Sequence, residues 1–224
     1  MASFPMLDAA PMPPLLAELS YGQLLLDGGF TNLFIFALSV VALATVLERT
    51  INLRAGRIVS KPLIESLRQR WVTTSPADLE KHCREHDSVF ARVAAFVSAH
   101  RDRDYASLST AASDLASIEV RRHVQRIYPL ALVATLTPLA GLFGTVLGMV
   151  ETFHTVAETG QTGDVGLLAA GIYKALSTTA AGLLVAIPAL GCYHYFRMKI
   201  RSASLLLEEG VNGLLNDFVL RRDR

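Results

Sequence analysis

The sequence predicts an all-α membrane protein with three transmembrane helices, two of which extend into a cytoplasmic helical bundle. Three stretches free of Asp, Glu, Lys and Arg support this fold class: residues 28–47, 127–150 and 175–196. Each has at least 20 residues, enough to cross ~30 Å of hydrocarbon as a helix. The composition agrees, since hydrophobic residues make up 51% of the chain and charged residues only 18%.

The basic residues predict which helix ends face the cytoplasm. Of the 21 Lys and Arg, none precedes Arg49, 14 lie in residues 48–126, six lie in 197–224, and Lys174 is alone in 151–174. Basic residues near helix ends stay on the cytoplasmic side. We therefore expect the two basic segments in the cytoplasm, and the N-terminal segment and the 151–174 connection outside. The net charge of +1 hides this asymmetry and does not indicate a nucleic-acid partner.

Residues 1–27 form the external N-terminal segment. Four prolines occur by position 14, and leucines cluster from residue 15 to residue 26. This pattern favours a short interfacial helix on the outer face, with a disordered tail as the alternative. The first apolar stretch, 28–47, follows it and ends at Glu48-Arg49.

Residues 48–126 are too polar to span a membrane and predict a cytoplasmic helical domain. Helix-like patches alternate with breaks at Gly56, Pro62 and Ser75-Pro76. Proline suits the first position of a helix, so the run from Ser75 to Asp78 predicts a helix start.

Two amphipathic segments adjoin the second and third apolar stretches. From Tyr105, apolar residues recur at helical spacing and predict a helix that runs on into the stretch 127–150: Leu108, Ala111, Leu115 and Ile118. The C-terminal segment 197–224 has a comparable stripe on a helix continuing from 175–196: Leu207, Val211, Leu214 and Phe218. Neither stripe is buried by its own helix, so we expect the two helices to pack on each other and on neighbouring copies.

Small and hydroxyl-bearing residues form one face in each of the last two stretches. In the second stretch and just beyond it they recur at steps of three or four: Thr137, Gly141, Thr145, Gly148, Thr152 and Thr155. In the third they are Ala175, Thr179, Gly182, Ala186 and Ala189. The Gly144-xxx-Gly148 spacing allows close backbone approach, and Pro138 and Pro188 each remove a helical hydrogen bond and predict kinks.

The depth of two threonines predicts a hydroxyl belt. Thr145 lies six residues before Glu151, and Thr179 lies five residues after Lys174. At ~1.5 Å rise per residue, both sit about 8–9 Å inside their charged flanks. The alternative is that membrane threonines bond their own backbone and small residues merely pack helices.

Other candidate sites have weaker support. The run His82-Cys83-x-x-His86 has metal-ligand residue types but no evident fourth ligand, so we predict a solvated helix face without a metal. Arg121, Arg122 and Arg126 flank the second stretch and fit either anionic lipid head groups or ordinary positive-inside anchors. No nucleophile–base pair or phosphate loop is evident, so neither an enzyme nor a cofactor is predicted.

Two long motifs resemble those of the ExbB/TolQ/MotA proton-channel family. They are Thr137-Pro-Leu-Ala-Gly-Leu-Phe-Gly-Thr-Val-Leu-Gly-Met149 and Gly171-Ile-Tyr-Lys-Ala-Leu-Ser-Thr-Thr-Ala-Ala-Gly-Leu-Leu-Val-Ala-Ile-Pro188. Their order and the short connection between them match the family. The MotA branch has four spans, so three spans favour ExbB, with TolQ next.

The resemblance implies a homopentamer in the bacterial inner membrane, with a periplasmic N-terminus and a cytoplasmic C-terminus. Spans two and three would surround single helices from an ExbD/TolR-like partner dimer, whose aspartate titrates. The family's channel threonines map onto Thr145 and Thr179, and we expect Thr137 and Thr178 to line the same pathway. The missing carboxylate in these two spans is then supplied by the partner.

The chain departs from the family at one position. ExbB and TolQ proteins often carry Glu three residues after the Gly that matches Gly171, where this chain has Lys174. Either the proton route does not need that carboxylate, or Glu151 supplies the local acidity. A Glu151–Lys174 pair at the pore flank is the further expectation.

The function implied is that of a subunit in a motor driven by the proton motive force. It would act through a TonB-like effector on outer-membrane transport. A TolQ-like subunit acting through a TolA-like effector in envelope integrity and cell division is the first alternative. A membrane scaffold that assembles partners without conducting ions is the second.

Overall fold

The computed structural model describes residues 29–53, 58–59, 61–70, 76–100, 103–160 and 165–222. Within these ranges the secondary structure is helical, without strands. The helices are α1 (Gly29–Asn52), α2 (Lys61–Arg70), α3 (Pro76–Arg84), α4 (Val89–Ala99), α5 (Tyr105–Gln125), α6 (Tyr128–Thr159) and α7 (Val165–Arg222). The interfacial helix predicted in residues 1–27 lies outside the described residues.

Three parts of the chain are long and apolar enough to cross a membrane: α1, the α5–α6 pair and α7. The predicted all-α class with three such helices is therefore confirmed. Helix α6 continues beyond the second apolar stretch to Thr159, and α7 begins at Val165, well before the third. Much of the 151–174 connection is thus helical.

A turn at Arg126 and Ile127 separates α5 from α6, where the sequence predicts one continuous helix. The amide of Ile127 donates to the Val124 carbonyl at 3.2 Å, which tightens the end of α5. Pro129 explains the break, because it has no N–H to donate to a carbonyl at the end of α5.

Helix starts follow the local sequence. Helix α3 begins at Pro76, as predicted. Pro62 is the second residue of α2, where a missing N–H has no intrahelical partner to lose. The Ser88 hydroxyl caps α4 by accepting from the Ala91 amide at 3.1 Å.

The chain divides into two compact units. One comprises the described residues of 40–134 and 187–224, and the other those of 1–39 and 135–186. The core of the first unit is built from fully buried side chains of α2 to α5 and of the C-terminal part of α7: Leu67, Leu79, Phe90, Leu108, Leu207 and Leu214. Full burial of each leucine stabilises this core by roughly 1.5–3 kcal/mol.

The predicted C-terminal stripe lies in this core. Leu207, Val211 and Leu214 are at most 3% exposed, while the side chain of Phe218 lies outside the described part of the chain. A Cβ added to Gly210 would lie 2.9 Å from the Phe90 ring. The stripe therefore packs closely on α4.

The buried face of α5 differs from the predicted stripe. Ile118 is 43% exposed, whereas Ala112, Ala116 and Glu119 are buried alongside Leu108. The Glu119 carboxylate accepts hydrogen bonds from the guanidiniums of two arginines, at 2.8 and 2.9 Å: Arg92 and Arg122. These charge-assisted hydrogen bonds offset the cost of burying the Glu119 carboxylate. The buried face of α5 is therefore shifted by one residue from the predicted apolar stripe.

Cys83 lies inside the core of this unit. Its side chain is 1% exposed, and burial, with a smaller contribution from Glu80, raises the pKa of the thiol to about 11. The neighbouring rings of His82 and His86 pack edge-on, with centroids 5.1 Å apart. Cys83 is therefore a packing residue of α3, and the prediction of a solvated face is wrong at this position.

We predict that Cys83 resists alkylation. A thiol with a pKa near 11 instead of 9.0 has about 100-fold less thiolate at pH 8, and only the thiolate reacts. In a Cys192→Ser variant, iodoacetamide labelling of the folded protein should therefore be about 100-fold slower than after unfolding, and should accelerate as the pH rises from 7 to 9.5. Equal rates in the folded and unfolded protein would contradict the burial of Cys83.

Candidate functional site

Helices α6 and α7 approach closely in the second compact unit because glycines remove the side chains between them. A Cβ added to Gly182 would lie 2.5 Å from the Thr137 carbonyl oxygen and 3.3 Å from the Gly141 Cα. One added to Gly141 would lie 2.9 Å from both the Thr178 carbonyl oxygen and the Thr179 Cα. Backbone therefore meets backbone at this crossing, which is the geometry that small residues permit in membrane helices.

The contact extends in both directions along the two helices. A Cβ at Gly144 would lie 2.8 Å from the Thr178 hydroxyl, and one at Gly148 would lie 3.1 Å from the Ala175 Cβ. The α6 residues that face α7 therefore follow a helical stripe: Thr137, Gly141, Gly144 and Gly148. This stripe is a close helix–helix seam within one chain.

Two of the predicted pathway threonines are buried in this seam. Thr137 is 0% exposed and Thr178 is 3% exposed. The Thr178 hydroxyl lies 2.7 Å from the Ala175 carbonyl of its own helix and 3.2 Å from the Gly141 carbonyl of α6. Its single proton is shared between these acceptors, so Thr178 holds the two helices together.

Thr145 and Thr179 lie beside the seam and are partly exposed. Each follows a seam residue, Gly144 or Thr178, and is turned about 100° from it around the helix. The Thr145 hydroxyl donates to the Leu142 carbonyl at 2.6 Å. The Thr179 hydroxyl oxygen is itself buried in the single chain and has no hydrogen-bond partner among the described residues.

The two hydroxyls are displaced along the helix axis. Thr179 lies opposite Gly141, which is four residues before Thr145. At ~1.5 Å per residue, Thr145 and Thr179 are about 6 Å, or one helical turn, apart in depth. The structure thus brings both to one region but staggers them, where counting from the charged flanks predicts a shared level.

A charged pair lies at the end of the two apolar stretches. Lys174 Nζ is 4.0 Å from Glu151 Oε2, and the side chains are 45% and 73% exposed. An exposed pair of this kind stabilises the protein by only about 0–1 kcal/mol. A cation and an anion thus lie together at this flank, as the sequence predicts.

Sequence reasoning missed the contribution of α1. Thr31 and Asn32 are 8% and 3% exposed, and the Thr31 methyl group would lie 2.8 Å from a Cβ at Gly144. Gly171 is a further missed contact, since a Cβ there would overlap the Thr152 side chain. The sequence signal for the α1 contact was the pair Thr31 and Asn32 near the start of an apolar stretch. Polar side chains rarely face lipid, so this pair indicates a face of α1 that packs on protein.

The remaining predicted residues occupy different surroundings. Pro138 lies inside α6 and Pro188 inside α7. Arg122 and Arg126 line one cavity, whereas Arg121 lines a separate groove together with Glu208 of α7. The three arginines are therefore not one equivalent lipid-facing patch.

Comparison with known proteins connects this geometry to a family. The sequence pattern of the MotA/TolQ/ExbB proton channel family matches residues 79–209, which include α6 and most of α7. The biopolymer transport protein exbB1 of Vibrio cholerae is 31% identical over 159 residues, covering 70% of each chain.

Shorter matches fall on further members. The biopolymer transport protein ExbB of Salmonella typhimurium is 44% identical over 73 residues, which are 33% of this chain and 30% of that protein. The Tol-Pal system protein TolQ of Haemophilus influenzae is 32% identical over 100 residues, or 45% and 42% of the two chains.

We predict that Gly182→Ala destabilises the protein, while Gly191→Ala does not. The methyl group at 182 meets a backbone carbonyl, and overpacking of this kind costs about 1–3 kcal/mol. A Cβ at Gly191, in the same apolar stretch, would meet no other part of the described chain within 4 Å, so only the gain in helix propensity acts there. Thermal unfolding in detergent measures both variants, and equal melting temperatures would contradict the close α6–α7 contact.

Proposed function

Because this chain belongs to the MotA/TolQ/ExbB proton channel family, we propose that it is an inner-membrane subunit of a motor driven by the proton motive force. Five copies form a ring around the helices of an ExbD/TolR-like partner dimer. Motion of the partner drives a TonB-like effector and so energises outer-membrane transport. The N-terminus is periplasmic and the C-terminus cytoplasmic, which accords with the distribution of basic residues.

The observation that carries this proposal is a pair of threonine hydroxyls beside the α6–α7 seam, in helices without a carboxylate. No Asp or Glu lies in 127–150 or 175–196. Thr145 and Thr179 lie beside the α6–α7 seam, and the Thr179 hydroxyl, although buried in the single chain, has no hydrogen-bond partner among the described residues. A hydroxyl does not titrate near neutral pH, so a proton in transit needs a carboxylate from a second protein.

The chemistry of a threonine hydroxyl suits that carboxylate in both of its states. The hydroxyl donates to an ionised carboxylate and accepts from a protonated one. Protonation removes a charge that is expensive to hold among apolar helices, and so lowers the cost of moving the partner helix past the ring. The one-turn stagger of Thr145 and Thr179 offers successive hydrogen-bonding positions along this route.

Exposed apolar side chains beside the two threonines support a ring of copies. They include Phe143, Val146, Leu176 and Leu183, each 43% exposed or more in the single chain. Such side chains are covered in a membrane assembly by lipid, by neighbouring copies or by the partner helices. The seam residues are already covered within the chain, so assembly uses the faces beside the seam.

Glu151 and Lys174 flank the entrance to the pathway in this proposal. Lys174 repels cations, and the adjacent Glu151 offsets that repulsion. The pair leaves the entrance near neutral, so the route does not depend on a lone carboxylate at the position of Lys174.

The TolQ-like function is the second candidate, and the match to the Haemophilus influenzae protein favours it. It uses the same ring and hydroxyls but a TolR-like partner and a TolA-like effector. Rescue of a deletion strain distinguishes the two: restored uptake supports the first, and restored envelope integrity and division support the second.

We predict a closed ring of five copies. Native mass spectrometry in mild detergent should show the pentamer, with or without the partner. A monomer or dimer as the sole stable species would contradict the ring.

We predict that Thr145→Val and Thr179→Val together abolish most energy-dependent function while the ring still assembles. Valine keeps the shape and deletes the hydroxyl. Loss of a hydrogen bond to a charged group costs roughly 1.5–3 kcal/mol, so each single variant should slow uptake about tenfold and the double variant more. The measurement is uptake in a deletion strain, with membrane levels and partner co-purification determined in parallel.

Thr45→Val is the matched control for these variants. Thr45 lies in α1, is partly exposed and donates to the Val41 carbonyl at 2.7 Å, so it is a membrane threonine outside the proposed pathway. Its substitution should leave uptake unchanged. Full rescue by the double variant at normal expression would refute the hydroxyl pathway and leave a scaffold role.

A further inference from the structure

A cavity of about 410 Å³ lies where the polar ends of α1 and α5 meet the start of α4. Its charged lining residues are Arg49, Arg92, Arg122, Arg126, Asp87 and Glu119. The lining thus contains four guanidinium groups and two carboxylates. The apolar motifs and the hydroxyl pathway do not account for this concentration of arginine.

The carboxylates do not neutralise the arginines. Glu119 is shared by Arg92 and Arg122, at 2.8 and 2.9 Å. Asp87 is 3.3 Å from Arg92 and 83% exposed, so solvent screens it. Arg126 has no carboxylate within 4.0 Å among the described residues.

Arg49 brings a buried and incompletely bonded guanidinium to the cavity. It is 1% exposed, and its Nε and Nη2 donate to the adjacent Glu48 carboxylate. Its Nη1 is buried and has no hydrogen-bond partner within the described residues. Even with Glu48 counted, four positive charges face three negative ones.

His123 adds a second unused polar atom. It lines the same cavity, and its Nδ1 is buried without a partner in the described part of the chain. Buried polar atoms are almost always hydrogen-bonded, so an unused one in each of two residues that line the same cavity, together with its excess of arginine, points to an anionic ligand. Guanidinium forks and an imidazole are the donors that recognise a phosphate oxyanion.

We propose that this cavity binds the phosphate group of an anionic phospholipid. The position of the cavity favours a lipid over a soluble anion. Arg49 lies two residues after the first apolar stretch, and Arg126 lies one residue before the second. The cavity is therefore at the boundary where lipid phosphates lie, and the bound lipid joins the ends of α1 and α5 to α4.

The proposal differs from general attraction between basic residues and a membrane. Arg121 and Arg126 belong to the same end of α5 and are both exposed, but Arg121 lines the separate groove with Glu208. A diffuse surface effect weights the two arginines equally. A specific site in this cavity depends on Arg126 and not on Arg121.

The test compares Arg126→Gln with Arg121→Gln in the full-length assembly. Arg126 is exposed and has no ion pair to break, so its substitution leaves folding intact, as circular dichroism and gel filtration should show. The delipidated assembly is titrated in nonionic detergent with phosphatidylglycerol and with phosphatidylcholine of the same acyl chains, and bound lipid is counted by native mass spectrometry. Inorganic phosphate is titrated separately by calorimetry.

We expect phosphatidylglycerol to bind the unaltered chain at least about tenfold more tightly than phosphatidylcholine. Loss of a charge-assisted contact in Arg126→Gln should weaken phosphatidylglycerol binding about tenfold, while Arg121→Gln changes it less than about twofold. Equal losses in the two variants would overturn the site. Inorganic phosphate binding as tightly as phosphatidylglycerol, with the same dependence on Arg126, would overturn the lipid as its ligand.

Discussion

The close contact between α6 and α7 is the constraint on which the rest of the structure depends. Lipid tails are as apolar as leucine, so the hydrophobic effect does not drive helices together inside a membrane. Backbone proximity and hydroxyl-to-carbonyl bonds do so instead. Gly141 and Gly182 permit the approach, and Thr178 bonds across it. Any side chain in these positions meets backbone atoms, which cannot move aside as the end of a flexible side chain does.

The four predicted pathway threonines of α6 and α7 fall into two groups according to their position relative to this contact. Thr137 and Thr178 are buried in the seam and stabilise it. Thr145 and Thr179 follow seam residues and are partly exposed beside it, and we propose that their hydroxyls meet the partner helix. In our proposal the rigid seam holds the two pathway hydroxyls in fixed positions, while the carboxylate that moves and titrates belongs to the partner. In this proposal the geometry of the pore follows from the packing of one chain on itself.

In the compact unit that contains α2 to α5, ion pairs set how the helices pack, as small residues do at the α6–α7 contact. Glu119 is buried because Arg92 and Arg122 both bond it. Burying an ion is costly, and its partners must repay most of that cost in hydrogen bonds. The pairs fix how α5 is rotated against α4, and the same rotation brings Arg126 to the cavity beside Arg49. The proposed lipid site is thus a consequence of the network that sets the α5 face.

The sequence alone determined the fold class, the three apolar helices, the start of α3 and the family motifs. These are properties of length, local composition and turn chemistry, which need no knowledge of neighbouring helices. It also identified the small residues, but not which of two adjacent residues faces α7, because neighbours on a helix point about 100° apart. Only the tertiary structure decided that Thr178 is in the seam and Thr179 beside it, that Glu119 rather than Ile118 is buried, and that Thr31 completes the contact. Each of these depends on the register and rotation of packed helices, and an apolar pattern leaves both undetermined.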